Sequence, residues 1–170
     1  LGHFHDEEHF YIVLELGCDG QLFDVISNGS TLSEETTSFI IGNLLDAVQL
    51  MHKHKILHRD IKPENIVLAT TIYITQGNIK LCDFGWAVNK KEELRSTFCG
   101  TPLYLSPELL QGSRYDEKVD LWAIGILAYE LFYGMSPFNI NEHEDLIKIV
   151  IHIHQVTDEV EFPNNKPISK

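Results

Sequence analysis

The eight residues from His58 to Asn65 constrain the fold of this chain more than any other feature of its sequence. They bring a carboxylate (Asp60), an amine (Lys62) and an amide (Asn65) into six consecutive residues. An apolar pair flanks this polar segment on each side, and short apolar runs of this kind anchor a segment in a hydrophobic core. We therefore expect a rigid loop whose functional groups lie close together.

A further acidic group follows at loop distance. Asp83-Phe84-Gly85 comes eighteen residues after Asn65, directly behind a predicted strand. Transfer of a phosphoryl group needs an acceptor for a hydroxyl proton, a cation beside the moving phosphate and oxygen ligands for magnesium. These groups are supplied by Asp60, Lys62, Asn65 and Asp83. The alternative interpretation is that the four polar side chains only cap a tight buried loop.

The acidic charge of the chain makes nucleic acid an unfavourable partner. Thirteen Lys and Arg residues stand against twenty-five Asp and Glu residues, which gives a net charge of −12 at pH 7. Such a surface repels a phosphate backbone and attracts a basic peptide. The nine histidines invite a zinc interpretation, but His52, His54 and His58 have no carboxylate or thiolate partner at ligand spacing.

Cysteine number and hydropathy indicate an intracellular protein without a membrane span. The three cysteines, at positions 18, 82 and 99, are odd in number and unevenly spaced, which is typical of reduced thiols. No signal peptide is recognisable, and no apolar run approaches the roughly 18 residues that a transmembrane helix requires.

Two segments predict the main helices. Thr31 and Glu34 form a capping-box pattern, and the apolar stripe behind them predicts a helix to about His54. Val119 to Phe132 is apolar on almost every face and predicts a helix buried in a helical body, with Asp120 as its N-cap. Further predictions are a strand over 9–14, a turn over 15–20, a short helix over 21–26, strands over 66–68 and 79–81, an ordered loop over 85–104, a helix over 141–154 and a loop from 162 onward.

Together these motifs resemble those of the eukaryotic serine/threonine protein kinases, and most closely those of the Aurora kinases. Lysine two places after Asp60 is the serine/threonine pattern, and tryptophan directly after the Asp-Phe-Gly triplet is the most Aurora-like detail. Ser106-Pro107-Glu108 stands where kinases usually carry Ala-Pro-Glu. The resemblance extends from Leu1 to about Val150, and the residues that carry it are 4–6, 58–65, 83–86, 99–101 and 116–122.

The resemblance implies a protein kinase-like fold of which this chain forms a part. Residues 1–17 would be the last strands of the N-terminal lobe and the hinge. Residues 18–170 would be a mainly α-helical C-terminal lobe, truncated at its end, with short strands from the hinge and catalytic region. The glycine-rich phosphate loop, the strand lysine and the glutamate of the regulatory helix are missing from the sequence, and we expect them in a lobe that precedes Leu1.

ATP and Mg²⁺ are the cofactors that the resemblance implies. Asp60 would accept the proton of the substrate hydroxyl, Lys62 would neutralise charge on the phosphate, and Asn65 and Asp83 would bind magnesium. The nucleotide would lie against Leu14 at the gatekeeper position, Glu15, Leu16 and Gly17 in the hinge, and Glu64, Asn65, Val67 and Asp83 in the catalytic region. The alternative interpretation of residues 14–17 is a core strand followed by a turn.

An activation loop is also implied. Thr97, with Ser96 as the neighbouring candidate, would carry a phosphate that pairs with Arg59 and orders the loop. Two ordinary exposed hydroxyls are the alternative. Thr101 would contact the Asp60–Lys62 pair and fix the substrate acceptor site.

The expected partners are protein substrates with basic residues near the acceptor. Glu64 and Glu130 match positions that pair with an arginine before the acceptor in basophilic kinases. Aurora-type activators would bind the N-terminal lobe, most of which lies outside these 170 residues. The resemblance implies nucleus, cytoplasm, spindle or centrosome as the location.

Three interpretations follow. In the first, the chain is part of an active Aurora-like kinase and is weakly active by itself, because half of the nucleotide cleft is missing. In the second, it is a truncated, noncatalytic, pseudokinase-like binding module. In the third, it is an unrelated helical domain with accidental motifs.

Residues 69–78 form a longer connection than the Aurora pattern has. The extra length would come from an insertion or from a mispredicted exon.

Overall fold

Along the described residues, two strands are followed by two helices, four short strands and two further helices. The computed structural model describes residues 2–17, 20–68, 79–89, 101–138, 148, 153, 160–164 and 166–169. Two short 3₁₀ turns, Pro63–Asn65 and Pro102–Tyr104, lie beside the helices and strands. The helices and strands in chain order are β1 (Gly2–His5), β2 (Phe10–Val13), α1 (Leu22–Ile26), α2 (Glu34–Lys53), β3 (Ile56–Leu57), β4 (Ile66–Leu68), β5 (Ile79–Leu81), β6 (Val88–Asn89), α3 (Pro107–Leu110) and α4 (Lys118–Tyr133).

The two long helices, α2 and α4, pack against each other and form the centre of the core. On α2 the buried residues recur at steps of three and four, so one stripe faces inward. Eight of the sixteen residues of α4 are buried. Fully buried side chains in this core include Ile40, Leu44, Val48, Leu127 and Leu131.

The strands form three separate antiparallel pairs. In the pair β1–β2, Gly2 lies opposite Val13 and His5 opposite Phe10, and both strands are exposed along their length. The pair β3–β6 joins the chain just before His58 to the chain just after the Asp-Phe-Gly triplet. The pair β4–β5 confirms the predicted strands 66–68 and 79–81. The sequence analysis missed β1, β3, β6 and α3.

Both predicted N-caps are wrong. Ser33, not Thr31, caps α2, because its hydroxyl accepts a hydrogen bond from Thr36 N at 3.1 Å. The carboxylate of Glu34 accepts instead from Ser169. The N-cap of α4 is Glu117, and Asp120 lies within the first turn with its carboxylate directed at another part of the chain.

The fold class is confirmed as a partial kinase-like fold that is mainly helical with short strands. The predicted short helix and both long helices are present, with α2 ending at Lys53 and α4 extending over the predicted range. Residues 69–78 and most of the predicted helix 141–154 lie outside the described residues; Lys148 and Ile153 are helical. Among the described helices, none combines the length and the hydropathy that a membrane span requires.

Candidate active site

One buried carboxylate holds the backbone at the start of the polar loop. Asp120 is 1% exposed; its Oδ1 accepts a hydrogen bond from Arg59 N at 2.8 Å and its Oδ2 accepts from His58 N at 3.0 Å. Arg59 has a φ of 68°, a conformation that costs a non-glycine residue about 1–3 kcal/mol. Two bonds to a charged acceptor offset this cost. Asp120 therefore holds the backbone at the start of this loop.

The carboxylate of Asp60 is joined to three other side chains, and we call these four residues the Asp60 cluster: Asp60, Lys62, Asn65 and Thr101. Asp60 is 5% exposed. Its Oδ2 lies 3.2 Å from Lys62 Nζ and accepts from Asn65 Nδ2 at 3.0 Å. Its Oδ1 accepts from the backbone and hydroxyl of Thr101 at 3.2 and 3.3 Å. Lys62 Nζ also donates to Thr101 Oγ1 at 2.8 Å, so the cluster is closed on itself.

The ring of His58 connects the loop to the strand end before Asp83. Its Nδ1 accepts from Asp60 N at 3.4 Å, and its Nε2 lies 3.1 Å from Cys82 O. These contacts require a neutral ring with the proton on Nε2. Burial lowers the pKa of His58 below its ordinary value of 6.5, against smaller opposing effects of the Cys82 carbonyl and nearby carboxylates. The ring also packs edge-on against Phe84, with centroids 5.0 Å apart.

Asn65 and Asp83 lie at the same end of the β4–β5 pair. Beyond the last strand partners, Cys82 N donates to Asn65 O at 2.9 Å, and Asp83 is the next residue. The Nδ2 of Asn65 donates to the backbone carbonyl and to Oδ2 of Asp60. Asp83 is exposed, has a φ of 59° and accepts from Gly85 N at 3.1 Å.

This donor set fits magnesium. An amide oxygen and a carboxylate are the hard oxygen ligands that Mg²⁺ prefers, and Mg²⁺ usually binds one or two protein groups together with water and phosphate oxygens. In the part of the chain that the structure describes, no group of three His, Cys, Asp or Glu side chains could hold a metal by itself. Asn65 and Asp83 are the two side chains here that could contribute oxygen ligands to such an ion.

The thiol of Cys82 lies beside these two residues. Its Sγ lies 3.3 Å from the backbone oxygen of Asn65, and burial raises the pKa of the thiol, with a smaller contribution from the charge of Asp83. The thiol therefore stays protonated at neutral pH and serves as a small packing group.

Arg59 is directed away from the Asp60 cluster. Its Nε and Nη2 donate to the Trp86 carbonyl at 2.8 and 2.5 Å, and its Nη1 donates to the Tyr115 hydroxyl at 2.5 Å. This places the guanidinium beside the segment that follows the Asp-Phe-Gly triplet. Ser96 and Thr97 lie outside the described residues, so the pairing of Arg59 with a phosphate on this segment stays a prediction.

The predicted hinge contacts β4 and β5, and its two leucine side chains are exposed to solvent. Leu14 and Leu16 are 70% and 82% exposed, so the alternative of a core strand does not fit. A Cβ at Gly17 would lie 1.9 Å from Val67 Cγ1, so only glycine fits there. An ion pair of 2.7 Å between Lys80 and Glu15 joins the segment to β5.

Glu64 and Glu130 line one cavity of about 270 Å³, together with residues of α1 and Thr101. The Oε2 of Glu64 is buried without a hydrogen-bond partner among the described residues. The carboxylate of Glu130 accepts from the Tyr104 hydroxyl. The cavity therefore presents acidic groups that a cationic side chain would neutralise.

Sequence reasoning missed several residues that support this site. His52 contacts Asp120, Tyr115 contacts Arg59, and Lys80 contacts Glu15. The sequence holds no signal for these pairs, because the partners of His52 and Tyr115 are more than fifty residues away along the chain.

Comparison with known proteins agrees with this geometry. The family model described as "Protein kinase domain" matches residues 1–170. The chain belongs to the protein kinase family. The cluster of Asp60, Lys62 and Asn65 and the nearby Asp83 are thus parts of a kinase domain.

Aurora kinases are among the similar curated proteins, which confirms the predicted resemblance. Aurora kinase B of Mus musculus is 38% identical over 165 residues, which cover 97% of this chain and 45% of that protein. The Aurora kinase of Schizosaccharomyces pombe is 44% identical over 81% of this chain and 37% of its own length. That of Candida glabrata is 41% identical over 88% of this chain and 40% of its own length. The chain thus spans less than half the length of these curated relatives.

Proposed function

We propose that this chain forms the catalytic and substrate-binding part of an Aurora-like serine/threonine protein kinase that uses ATP and Mg²⁺. The Asp60 cluster is the observation that carries the proposal. It holds a buried carboxylate 3.2 Å from a lysine ammonium, and both groups contact the hydroxyl of Thr101. Phosphoryl transfer depends mainly on positioning and charge stabilisation, and a closed cluster provides both.

In the proposed reaction, the substrate hydroxyl donates a hydrogen bond to the carboxylate of Asp60. Asp60 orients the hydroxyl and accepts its proton as the new oxygen–phosphorus bond forms. In the same step the bond between the γ-phosphorus of ATP and its bridging oxygen would break, and ADP would leave. The ammonium of Lys62 stabilises negative charge on the transferred phosphoryl group. Thr101 holds both side chains in place, and Asn65 fixes the carboxylate through Nδ2.

The nucleotide and its metal would lie at the open end of the β4–β5 pair. Asn65 and Asp83 would hold Mg²⁺, which neutralises phosphate charge when bound. The hinge residues 14–17 would contact the adenine through their backbone, and Val67 would pack against the ring. Glu64, which follows Pro63 in the 3₁₀ turn, would lie at the sugar side of the nucleotide.

The substrates we propose carry an arginine before the acceptor serine or threonine. Support comes from the acidic cavity, where Glu64 has a buried oxygen without a partner among the described residues, and from the net charge of −12. An arginine could also pair with Glu130. By likeness to Aurora kinases, a phosphate on Thr97 would bind Arg59, and the protein would act inside the cell at the spindle or centrosome.

We further propose that these 170 residues transfer phosphate slowly by themselves. The sequence contains neither a glycine-rich phosphate loop nor a strand lysine for the phosphates. Leu14 and Leu16 of the predicted hinge are exposed. Poor positioning of ATP reduces the rate even when the acceptor side is intact.

The test incubates the purified chain with magnesium, γ-labelled ATP and an arginine-containing peptide. We expect transfer far below the roughly 1–100 s⁻¹ of kinases, and we expect Asp60→Asn to abolish it. Asp46→Asn, on the exposed face of α2, is the matched control and should leave the slow rate unchanged. Ordinary kinase turnover would contradict slow transfer, and equal rates for wild type and Asp60→Asn would contradict the role of Asp60.

A noncatalytic binding module is the second candidate, and the exposure of Leu14 and Leu16 favours it. Calorimetry with an arginine-containing peptide distinguishes the two. Peptide binding that depends on Glu64 and Glu130, without any labelled transfer, would support the module.

A further inference from the structure

An ion pair ties the predicted hinge to the strand that leads to Asp83. Lys80 is the middle residue of β5, and its Nζ lies 2.7 Å from Oε2 of Glu15. Asp83 follows three residues after Lys80. One side-chain contact therefore connects the segment proposed to bind the adenine with the strand that precedes a proposed magnesium ligand.

Backbone contacts attach the chain just after the hinge to β4. Leu68 N donates to Gly20 O at 3.0 Å, and Gln21 forms a β-bridge with Val67. Val67 is also the register partner of Lys80 in the β4–β5 pair. The hinge itself is thus attached through a side chain, at a position directly beside the backbone contacts.

The β1–β2 pair is connected to the helical body through this hinge. Both strands are exposed along their length, so burial contributes little to their orientation. Each residue of a connecting segment can rotate about its φ and ψ angles unless other contacts prevent it. The ion pair between Lys80 and Glu15 restricts this rotation at the first residues after β2.

A nucleotide would contact both ends of this arrangement at once. Its adenine would lie at the hinge, and its phosphates would share a metal ion with Asn65 and Asp83. A ligand that contacts two parts of a protein binds tightly when their spacing is set before binding, because ordering them afterwards costs free energy. The ion pair joins the two parts and limits changes in their spacing.

We propose that Lys80 is a positioning residue for the nucleotide, acting through Glu15 on the hinge. This inference rests on the proposed function, because the spacing matters only if ATP binds between the hinge and Asp83. The competing explanation is that the ammonium of Lys80 attracts the phosphates of ATP directly.

Three variants separate these explanations. Lys80→Gln and Glu15→Gln each break the ion pair, and the double variant Glu15→Lys with Lys80→Glu rebuilds it with exchanged charges. Positioning predicts weaker nucleotide binding in both single variants and recovery in the exchanged pair. Direct attraction predicts tighter binding in Glu15→Gln, because that variant frees the ammonium, and no recovery in the exchanged pair. Lys118→Gln is the control, since it removes the same charge at the exposed start of α4.

The first measurement is an NMR titration of the whole chain with Mg·ATP and with adenosine at low ionic strength. We expect each single variant to weaken Mg·ATP binding about threefold to fivefold, the size expected for an exposed ion pair. Adenosine contacts the hinge without the metal end, and its affinity should change less. The exchanged pair and Lys118→Gln should bind as wild type. Tighter binding by Glu15→Gln, an unrecovered loss in the exchanged pair, or an equal loss for adenosine would overturn the proposal.

The second measurement uses the labelled-ATP assay. Lys80→Gln should raise the KM for ATP and leave the KM for the peptide unchanged, because the Asp60 cluster keeps all its contacts. The exchanged pair should restore the KM for ATP. A raised peptide KM with an unchanged KM for ATP would contradict positioning of the nucleotide.

The third measurement follows the hinge without any nucleotide. Residual dipolar couplings of backbone amides report the orientation of the β1–β2 pair relative to α2. We expect Lys80→Gln to change this orientation or to average it, and the exchanged pair to restore it. Unchanged couplings in Lys80→Gln would overturn the proposal. If wild type bound no Mg·ATP at all, the proposed function would be wrong, while the couplings would still decide whether Lys80 orients the hinge.

Discussion

At the scale of single residues, one buried hydroxyl group lowers the free energy of unfolding. The hydroxyl of Ser106 is completely buried, and it has no hydrogen-bond partner among the described residues. It stands where the kinase pattern has alanine. Burying a hydroxyl without a partner costs about 1–3 kcal/mol in mutational data.

We predict that Ser106→Ala raises the free energy of unfolding by about 1 kcal/mol. Urea denaturation followed by circular dichroism measures this change. The contrasting variant is Ser33→Ala, which removes a working N-cap and should destabilise the chain by about 1 kcal/mol. A loss of stability in Ser106→Ala would show that the hydroxyl has a partner in solution.

The buried ring of His58 should make stability depend on pH. Burial lowers its pKa below the ordinary value of 6.5. Below that value the unfolded chain therefore takes up a proton that the folded chain refuses, and stability falls as the pH decreases from 6.5 toward the folded pKa. We expect His58→Gln to lose less stability than wild type between pH 7 and pH 5. Parallel stability curves for the two proteins would contradict the lowered pKa.

At the scale of single elements, two glycines of α4 have opposite roles. Gly134 ends the helix with a φ of 76°, and its N–H donates to Glu130 O at 2.7 Å. A Cβ there would lie 2.8 Å from Thr31 Cγ2. Gly125 lies inside the helix, where an added Cβ would have no contact within 4 Å.

We predict that Gly134→Ala destabilises the chain by about 1 kcal/mol or more, because alanine is strained at positive φ and would crowd Thr31. Gly125→Ala should instead stabilise it by up to about 1 kcal/mol through helix propensity. Thermal unfolding of the two variants measures both signs in one experiment. Equal shifts in the same direction would contradict the assigned roles.

At the scale of the whole molecule, the C-terminal residues cover part of an apolar groove between α2 and α4. The groove has a volume of about 620 Å³ and is lined by Trp122, Tyr129 and Phe162, among others. Lys166 ties the segment down, since its Nζ donates to the backbone carbonyls of Leu32 and Phe132 at 2.9 and 2.5 Å. Its ammonium also lies 4.2 Å from the centre of the Phe132 ring.

We predict that Lys166→Gln loosens this segment and exposes the groove, because it removes a charged donor and a cation–π contact. Limited proteolysis should cut residues 160–169 faster, and binding of a hydrophobic dye should increase. Lys118→Gln, at the exposed start of α4, is the control and should behave as wild type. Unchanged proteolysis in Lys166→Gln would mean that apolar contacts alone hold the segment.

Much of the architecture could be predicted from local pattern. The apolar stripe of α2 and the continuous apolar run of α4 predicted both helices, because burial dominates where periodicity is strong. The N-caps could not be predicted in the same way, since Thr31 and Ser33 both fit as caps and Glu34 bonds to residues far along the chain. The strands β3 and β6 are two residues each and have no periodicity to read.

The sequence by itself determined the chemistry of the site: which groups stand between His58 and Asn65, that Asp83 follows, and that the chain belongs with protein kinases. Covalent order is enough for this, because the groups of the loop are neighbours along the chain. Only the tertiary structure decided that His52 contacts Asp120 and that Arg59 turns to Trp86 and Tyr115. These contacts join residues far apart in the chain, and their partners are selected by the packing of α2 against α4, which no local pattern encodes.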